Sequence, residues 1–568
     1  MRTCPDDGPR GTPPHPDAGP RDGPRPAFGP ADVASHRGRR SRIVQRVETV
    51  REAWEEALGR VGRGLHVAIE DDGSPRIVEA PGRDSNDRAA FVPPFPIDRL
   101  GDASFRAAHG VRYACIAGAM ANGIASVELV EAMGRAGMLG IFGAAGLGLD
   151  AVEKAVDRIQ GSLGDKAPYG FNLIHSPHEP AIESAVVDLY LRRKVRLVEA
   201  SAFLSLTPTV VRYRVSGIHR DERGRVVAPN RLIAKASRVE VAQRFLAPPP
   251  EKILRALVEQ GAIDADQAAM AETIPMAEDL TAEADSGGHT DNQPLVVLLP
   301  TFLALRDRLA AQHGYDRPLR VGAAGGISTP WAAAGALAMG AGYLVTGSVN
   351  QACVEAGTSD VVRTMLAQAQ QADIAMAPAA DMFEMGVKVQ VLKRGTMFAM
   401  RAAKLYEYYR AYDRLESIPD ADRATLEKTI FRTPLPDVWE QTRAFFARRD
   451  PTQIAKAEAD AKYKMALVFR WYLGQSSHWA NVGEPSRVVD YQIWCGPAMA
   501  AFNDWTRGTF LEKPENRRAA DVALNILHNA AVLLRARTAA MQGVVPPDGS
   551  PRLAPRPRDE IEKMGSDL

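Results

Sequence analysis

Between residues 113 and 348 the chain repeats one pattern eight times: a short run of small and apolar residues closes on a glycine or a small polar residue, and a helical stretch follows. The runs are YACIAG from 113, MLGIFG from 138, YGFNLI from 169, RLVEAS from 196, LIAKAS from 232, LTAEAD from 280, LRVGAAGG from 319 and YLVTGS from 343. Short, near-continuous apolar runs of this kind read as strands buried on both faces. Eight of them alternating with helices over about 240 residues have the length and rhythm of a (β/α)8 TIM barrel. A doubly wound open sheet is the alternative. The residues at the run ends favour the barrel: Gly118, Gly143, Asn172, Ser201, Ser237, Asp285, Gly325 and Gly347. In a barrel these ends converge on one face, where such folds carry out their chemistry.

Four parts are expected. Residues 1–45 are rich in Pro, Gly and charge and read as a disordered tail that includes a short basic run, HRGRRSR. Residues 46–108 read as a helix and a hairpin turning at DDGS, a small N-terminal appendage. The barrel takes 109–378, and 379–568 reads as a C-terminal helical cap.

With 45% hydrophobic and 24% charged residues and a net charge of +1, the chain has the balance of an ordinary globular protein. It lacks a global charge that would attract nucleic acid or an anionic membrane. Cys4, Cys115, Cys353 and Cys495 lie far apart without a CxxC pair, which argues against a zinc cluster or a disulfide framework and fits a reducing cytoplasm. No uncharged apolar run reaches the ~20 residues needed to span a bilayer, and residues 1–45 lack the apolar core of a signal peptide.

Two Gly-rich stretches follow the last two strand runs: VGAAGGIST, with Gly325 and Gly326, and VTGSVNQA, with Gly347 and Ser348. Glycines let backbone N–H groups approach an anion closely, and in barrels the loops after strands seven and eight commonly hold a phosphate. Thr329 before Pro330 looks like a helix start. No GxGxxG opens a Rossmann unit and there is no Walker lysine motif. These features suggest a barrel-bound phosphate ligand such as flavin mononucleotide (FMN). A second feature is EADSGGHTD, where Gly287 and Gly288 deliver His289 into a polar loop. His175 and His178 in NLIHSPHEP are three residues apart, but Pro177 and Pro180 interrupt any helix and no carboxylate-rich partner motif accompanies them, so no metal site is expected.

The combination of GAMANGIASVELVEAMGRAGMLGIFG, GFNLIHSP, EADSGGHTD, VGAAGGIS and VTGSVNQA resembles the flavin-dependent barrel family of nitronate monooxygenases and FMN-type enoyl-acyl-carrier-protein reductases. The longer stretches YGFNLIHSPHEPAIESAVVDLYLRRKVRLVEASAFLSLTPTVVRYRVSGI and DMFEMGVKVQVLKRGTMFAMRAAKLYEYY resemble its PfaD branch, the trans-acting enoyl reductases of polyunsaturated fatty acid and polyketide synthases. The resemblance covers roughly residues 95 to 540. It implies FMN as cofactor, NADPH or NADH as reductant, and acyl carrier protein domains as partners, with a homodimer left open.

The resemblance also implies roles for individual residues. Ala119, Met120 and Ala121 line the flavin ring, and Asn172 hydrogen-bonds it. Gly325, Gly326, Gly347 and Ser348 cradle the phosphate, and His289 is the active-site histidine. Members of the family it resembles usually carry Glu-Ala-Gly-Gly-His where this chain has Asp285-Ser286-Gly287-Gly288-His289. The expected activity is reduction of the 2,3-double bond of carrier-bound enoyl thioesters. A nitronate monooxygenase and a non-catalytic synthase component are the alternatives. A basic stretch, Lys388, Lys393, Arg394, Arg401 and Lys404, is the expected docking surface for an acidic carrier protein.

Overall fold

The computed structural model describes residues 50–71, 73–78, 88–177, 179–547 and 551–566. The tail 1–45, Cys4 and His178 lie outside the described residues. Contacts divide the chain between residues 53 and 54, and every element named below belongs to the larger part, 54–568.

All eight expected strands form, and they close a parallel barrel in sequence order. They are β1 (Cys115–Ala117), β2 (Leu139–Phe142), β3 (Gly170–Ile174), β4 (Leu197–Ser201), β5 (Arg231–Ala236), β6 (Asp279–Glu283), β7 (Arg320–Ala324) and β8 (Leu344–Thr346). The ring is sealed where β8 pairs with β1, Leu344 opposite Cys115 and Thr346 opposite Ala117. Alternate residues point inward, so Ile116, Ile141, Leu197, Ile233, Tyr343 and Val345 fill the interior. Tyr343 needs Gly322 beside it, because a Cβ there would lie 2.2 Å from the ring. Cys115 packs in this wall, and burial pushes its thiol up to about 12.

The barrel floor is plugged by helix Ala103–His109, whose sequence up to residue 108 the expected boundaries assigned to the appendage. Asp102 caps it, accepting from the Ser104 and Phe105 amides. Phe105 stacks on Tyr343 at 4.3 Å, and His109 Nε2 meets Asp279 at 2.8 Å. Arg320 grips the same carboxylate through both of its oxygens. Burial alone would raise the Asp279 carboxyl, but these two partners hold it down at about 2. The N-terminal strands Leu65–Ile69, Pro75–Val78 and Arg88–Val92 form a separate antiparallel sheet.

Beyond the barrel the chain is less uniformly helical than expected. Strands Ile374–Pro378 and Lys388–Leu392 pair antiparallel, and the short strand Gly288–His289 adds to the second of them. The cap proper is built on a buried cluster that includes Phe383, Phe398, Leu405, Phe431, Phe469 and Tyr472. The final long helix, Ala519–Met541, does not join this cap. It packs against helices Val127–Arg135 and Pro330–Ala338, which follow β1 and β7, so it takes the place of a barrel's eighth helix. Four of the polar residues along it, Asn525, His528, Asn529 and Arg535, are buried while Arg537 is exposed, and Arg535 donates to the carbonyls of Arg63 and Pro93.

Candidate active site

The C-terminal mouth of the barrel carries charge on three consecutive strands. Glu199 on β4, Lys235 on β5 and Glu283 on β6 stand within two residues of their strand ends, and Lys235 Nζ lies 2.6 Å from Glu283. Burial opposes the Lys235 ammonium, but Glu283 and Glu199 outweigh it and hold its pKa above the usual lysine range. Glu199 is fully buried, and burial raises its carboxyl above the ordinary range despite Lys235. Its Oε2 accepts the Ala119 amide at 3.0 Å, while Oε1 has no protein partner. Such an orphaned buried acceptor is costly unless something else satisfies it.

Ala119, Met120 and Ala121 therefore form a strand-end turn held from two sides. Glu199 binds its first amide, and Gly143, just past the end of β2, fits against the Met120 carbonyl so closely that a Cβ would lie 1.8 Å away. On β3, Asn172 donates from its amide nitrogen to the Glu199 carbonyl at 3.1 Å and to Ser201 Oγ at 2.8 Å. This leaves its Oδ1 free to accept.

Across the mouth, Gly325 and Gly326 turn with φ of +84° and +74°. Thr329 caps helix Pro330–Ala338, with Pro330 at its first position. Gly347 leads into a single helical turn starting at Ser348. Cβ atoms built at Gly326 and Gly347 would meet nothing within 4 Å, whereas one at Gly325 would lie 2.6 Å from the Ala284 backbone. No protein carbonyl takes the amides of Gly326, Gly347 and Ser348 among the described residues. Free amides beside open space suit a phosphate. Together with Asn172 Oδ1 and Glu199 Oε1, these residues fit a ligand with an anionic end and a hydrogen-bonding ring.

His289 is not on a free loop. It lies opposite Val389 in the short antiparallel ladder, and its Nε2 meets Asp381 Oδ1 at 3.0 Å. Its partial enclosure lowers the imidazole pKa, but Asp381, with help from Glu283, outweighs this and raises it. The glycines before it serve the cap as well as the turn. A Cβ on Gly287 would lie 2.9 Å from the backbone of Cys495 and Gly496, and Gly288 has φ of +83°. Asp285 accepts from Thr290 at 3.1 Å and Gln390 at 2.7 Å, tying the loop to the sheet strand.

His175, one residue past β3, has its amide bound to the Ser201 carbonyl at the end of β4. Its Nδ1 lies 2.8 Å from the buried Glu183. The cap reaches this loop through Arg449, which holds Glu179 with two bonds of 2.6 and 3.0 Å. No cluster of three potential metal ligands occurs among the described residues.

Sequence reasoning singled out His289 but not its partner Asp381, which lies 92 positions away. It also passed over Glu199, Lys235 and Glu283, although the signal was present. The runs VEAS, AKAS and AEAD each place one charge at an inward position of a buried strand, two residues before a polar end. The expected docking surface is corrected at Arg401, which is paired with the buried Asp490. Arg394 faces Asp373 at 3.4 Å and Lys404 faces Glu407 at 3.2 Å, while Lys388 and Lys393 remain exposed.

Residues 104–411, more than half of the chain, match the nitronate monooxygenase family, and the chain belongs to it as a barrel oxidoreductase. Residues 412–491 match the inserted helical domain of acyl-carrier-protein S-malonyltransferase. One of the polyunsaturated fatty acid synthase proteins of Thraustochytrium sp. (strain ATCC 26185 / S-3) is 50% identical over 455 residues, 79% of this chain and 30% of that protein. The polyketide biosynthesis protein PksE of Bacillus subtilis (strain 168) is 46% identical over 444 residues, 78% of this chain and 58% of that one. The chain thus spans less than two thirds of the length of either relative. Among solved structures, the enoyl reductase domain of MlnA, from the macrolactin biosynthesis cluster of Bacillus amyloliquefaciens, is 40% identical with a TM-score of 0.75. The match covers 78% of this chain and 100% of that domain.

Proposed function

We propose that the protein is an FMN- and NAD(P)H-dependent enoyl reductase that acts in trans, in the cytoplasm, on enoyl thioesters carried by acyl carrier protein domains of a fatty acid or polyketide synthase. The observation that carries this reading is the mouth itself: free amides at Gly326, Gly347 and Ser348 and the unsatisfied Glu199 Oε1 stand at the same end of a barrel like that of the MlnA enoyl reductase domain. Bound FMN would pass hydride from the nicotinamide to the β-carbon of the conjugated thioester. The chain's residues do the rest. The glycine loops hold the phosphate, Asn172 and the Ala119–Ala121 turn orient the ring, and His289 delivers the proton that the α-carbon takes. Asp381 fixes the imidazole and favours its protonated form. Within 109–378 the barrel holds the cofactor, and the helical part of 379–568 acts as a lid that Arg449 fastens to the mouth.

The test is a pair of assays on purified protein. Flavin absorbance, together with anaerobic NAD(P)H-dependent reduction of an enoyl thioester, supports the reading. A colourless protein, or one that oxidises a nitronate in air and leaves the enoyl thioester untouched, refutes it.

A further inference from the structure

Two histidines stand at this mouth, and His175 is the better prepared of the two. His289 and Asp381 are both about half exposed, at 46% and 54% of their side-chain surface. The Glu183 carboxylate that faces His175 is 3% exposed. Both of its oxygens are engaged: Oε2 with His175 Nδ1 at 2.8 Å and Oε1 with the Thr207 hydroxyl at 2.6 Å. Thr207 is itself fixed, because it caps helix Pro208–Val215 by accepting from the Val210 amide. The imidazole lies against Phe203, ring centroids 5.2 Å apart and planes 23° apart. A carboxylate accepts and does not donate, so Nδ1 carries a proton and the ring has one orientation. Nε2 has no protein partner among the described residues. A tightly held imidazole with one free nitrogen, on the catalytic face and three residues from Asn172, is more than the fold needs.

We propose that His175 is a second catalytic residue of the reaction argued above: with Nδ1–H held by Glu183, it takes a second proton on Nε2, and that Nε2–H donates a hydrogen bond to the carbonyl oxygen of the enoyl thioester. This rests on the enoyl reductase reading. Hydride addition to the β-carbon would move the electron pair of the double bond toward the carbonyl, so negative charge would grow on its oxygen. His175 stabilises that charge, and the α-carbon then takes its proton from His289. In a carrier-bound substrate the phosphate of the prosthetic arm stands a full pantetheine length from the thioester carbonyl, so a donor beside the reacting double bond meets the carbonyl and not the phosphate. Glu183 is a positioning residue that acts through the imidazole.

The test uses the full chain and two substitutions with opposite geometry. His175→Asn retains an amide where Nδ1 stood, so the bond to Glu183 survives while Nε2 is lost. His175→Gln loses that bond but places an amide near the position of Nε2. For the proposal, His175→Asn keeps the thermal midpoint, the flavin content and the rate of reduction by NAD(P)H. It loses about 100-fold in kcat for an enoyl-N-acetylcysteamine thioester, the scale of one lost oxyanion donor, with KM little changed. His175→Gln recovers part of that kcat. In the wild-type protein, a saturated acyl-N-acetylcysteamine thioester, which cannot be reduced, shifts the Nε2 resonance of His175 in a long-range nitrogen NMR spectrum.

Wild-type kcat in His175→Asn overturns the proposal, as does a loss of activity that only follows a loss of flavin or fold. The resonance shift separates the two readings. If the wild-type protein reduces no enoyl thioester, the functional reading has failed. If it does reduce one and the His175 signal ignores the saturated thioester, the role of His175 has failed.

Discussion

Arg401 is ion-paired with Asp490 across 89 residues, and the pair closes the base of the helical segment 412–491. Asp490 is fully buried and also receives the Tyr472 hydroxyl at 2.9 Å and Arg487 at 3.2 Å. Removing one partner from a buried charge cluster leaves the remaining charge poorly compensated. Arg401→Ala is expected to lower stability by about 3 kcal/mol in chemical denaturation. Lys404→Ala, on the exposed side of the same helix, should leave the denaturation curve nearly unchanged. Equal losses in the two variants would show that the Asp490 cluster does not hold the segment in place.

Carrier docking is accordingly tested at Lys388 and Lys393, which are exposed and make no ion pair among the described residues. Lys388→Glu combined with Lys393→Glu should raise KM for carrier-bound enoyl substrate several-fold and leave turnover of a small untethered thioester alone. The effect should shrink at high salt, where screening removes the attraction. A KM that does not respond to the double substitution at low salt places the docking surface elsewhere.

Gly325 and Gly347, the glycines proposed to cradle the phosphate, should respond differently to substitution. At Gly347 a side chain enters open space, so Gly347→Val is expected to yield a folded protein with little bound flavin. At Gly325 the new Cβ meets the Ala284 backbone at 2.6 Å, and φ is +84°. Gly325→Val should therefore lower the thermal midpoint as well. Visible absorbance and a melting curve on each variant decide the matter. Full flavin content in Gly347→Val would remove the cradle assignment.

His289 sets a pH prediction. Partial enclosure lowers its pKa, but Asp381 raises it by more, so the protonated donor persists to higher pH than in an ordinary histidine. Asp381→Asn removes the raising charge. The limb on which activity falls as pH rises should then move to lower pH, with the rate at low pH reduced less than in His289→Ala. An unmoved limb would mean that Asp381 does not act on the proton His289 supplies.

The strands of the barrel were legible because each lies within one short run whose apolar content and polar end are local facts. Ser201, Asp285 and Gly347 stand at strand ends in the folded protein as they do in the text of the sequence. The partners that define the site are not local. The pairing of His289 with Val389, the Asp381 contact and the fit of Cys495 against Gly287 depend on segments roughly 90 to 210 residues apart meeting in space, and no periodicity encodes that. His175 was read together with His178 for their spacing, when its chemistry depends on Glu183, one helical turn into the next helix. Helix Ala519–Met541 has apolar residues on nearly all sides, which marks burial without saying against what.

That helix covers the seam where β8 meets β1, yet it is made only after the whole cap, residues 398 to 518, has been synthesised. All eight strands leave the ribosome well before the element that shields their closing edge. The nascent barrel must therefore hold an apolar strip open while an unrelated helical unit is added beyond it. Cover of the seam joins helices roughly 400 residues apart, and contacts of such sequence separation form slowly. The cap is thus a passenger on an unfinished barrel during synthesis, and any chain cut short before residue 541 would retain its strands without the cover that keeps them apart from other chains.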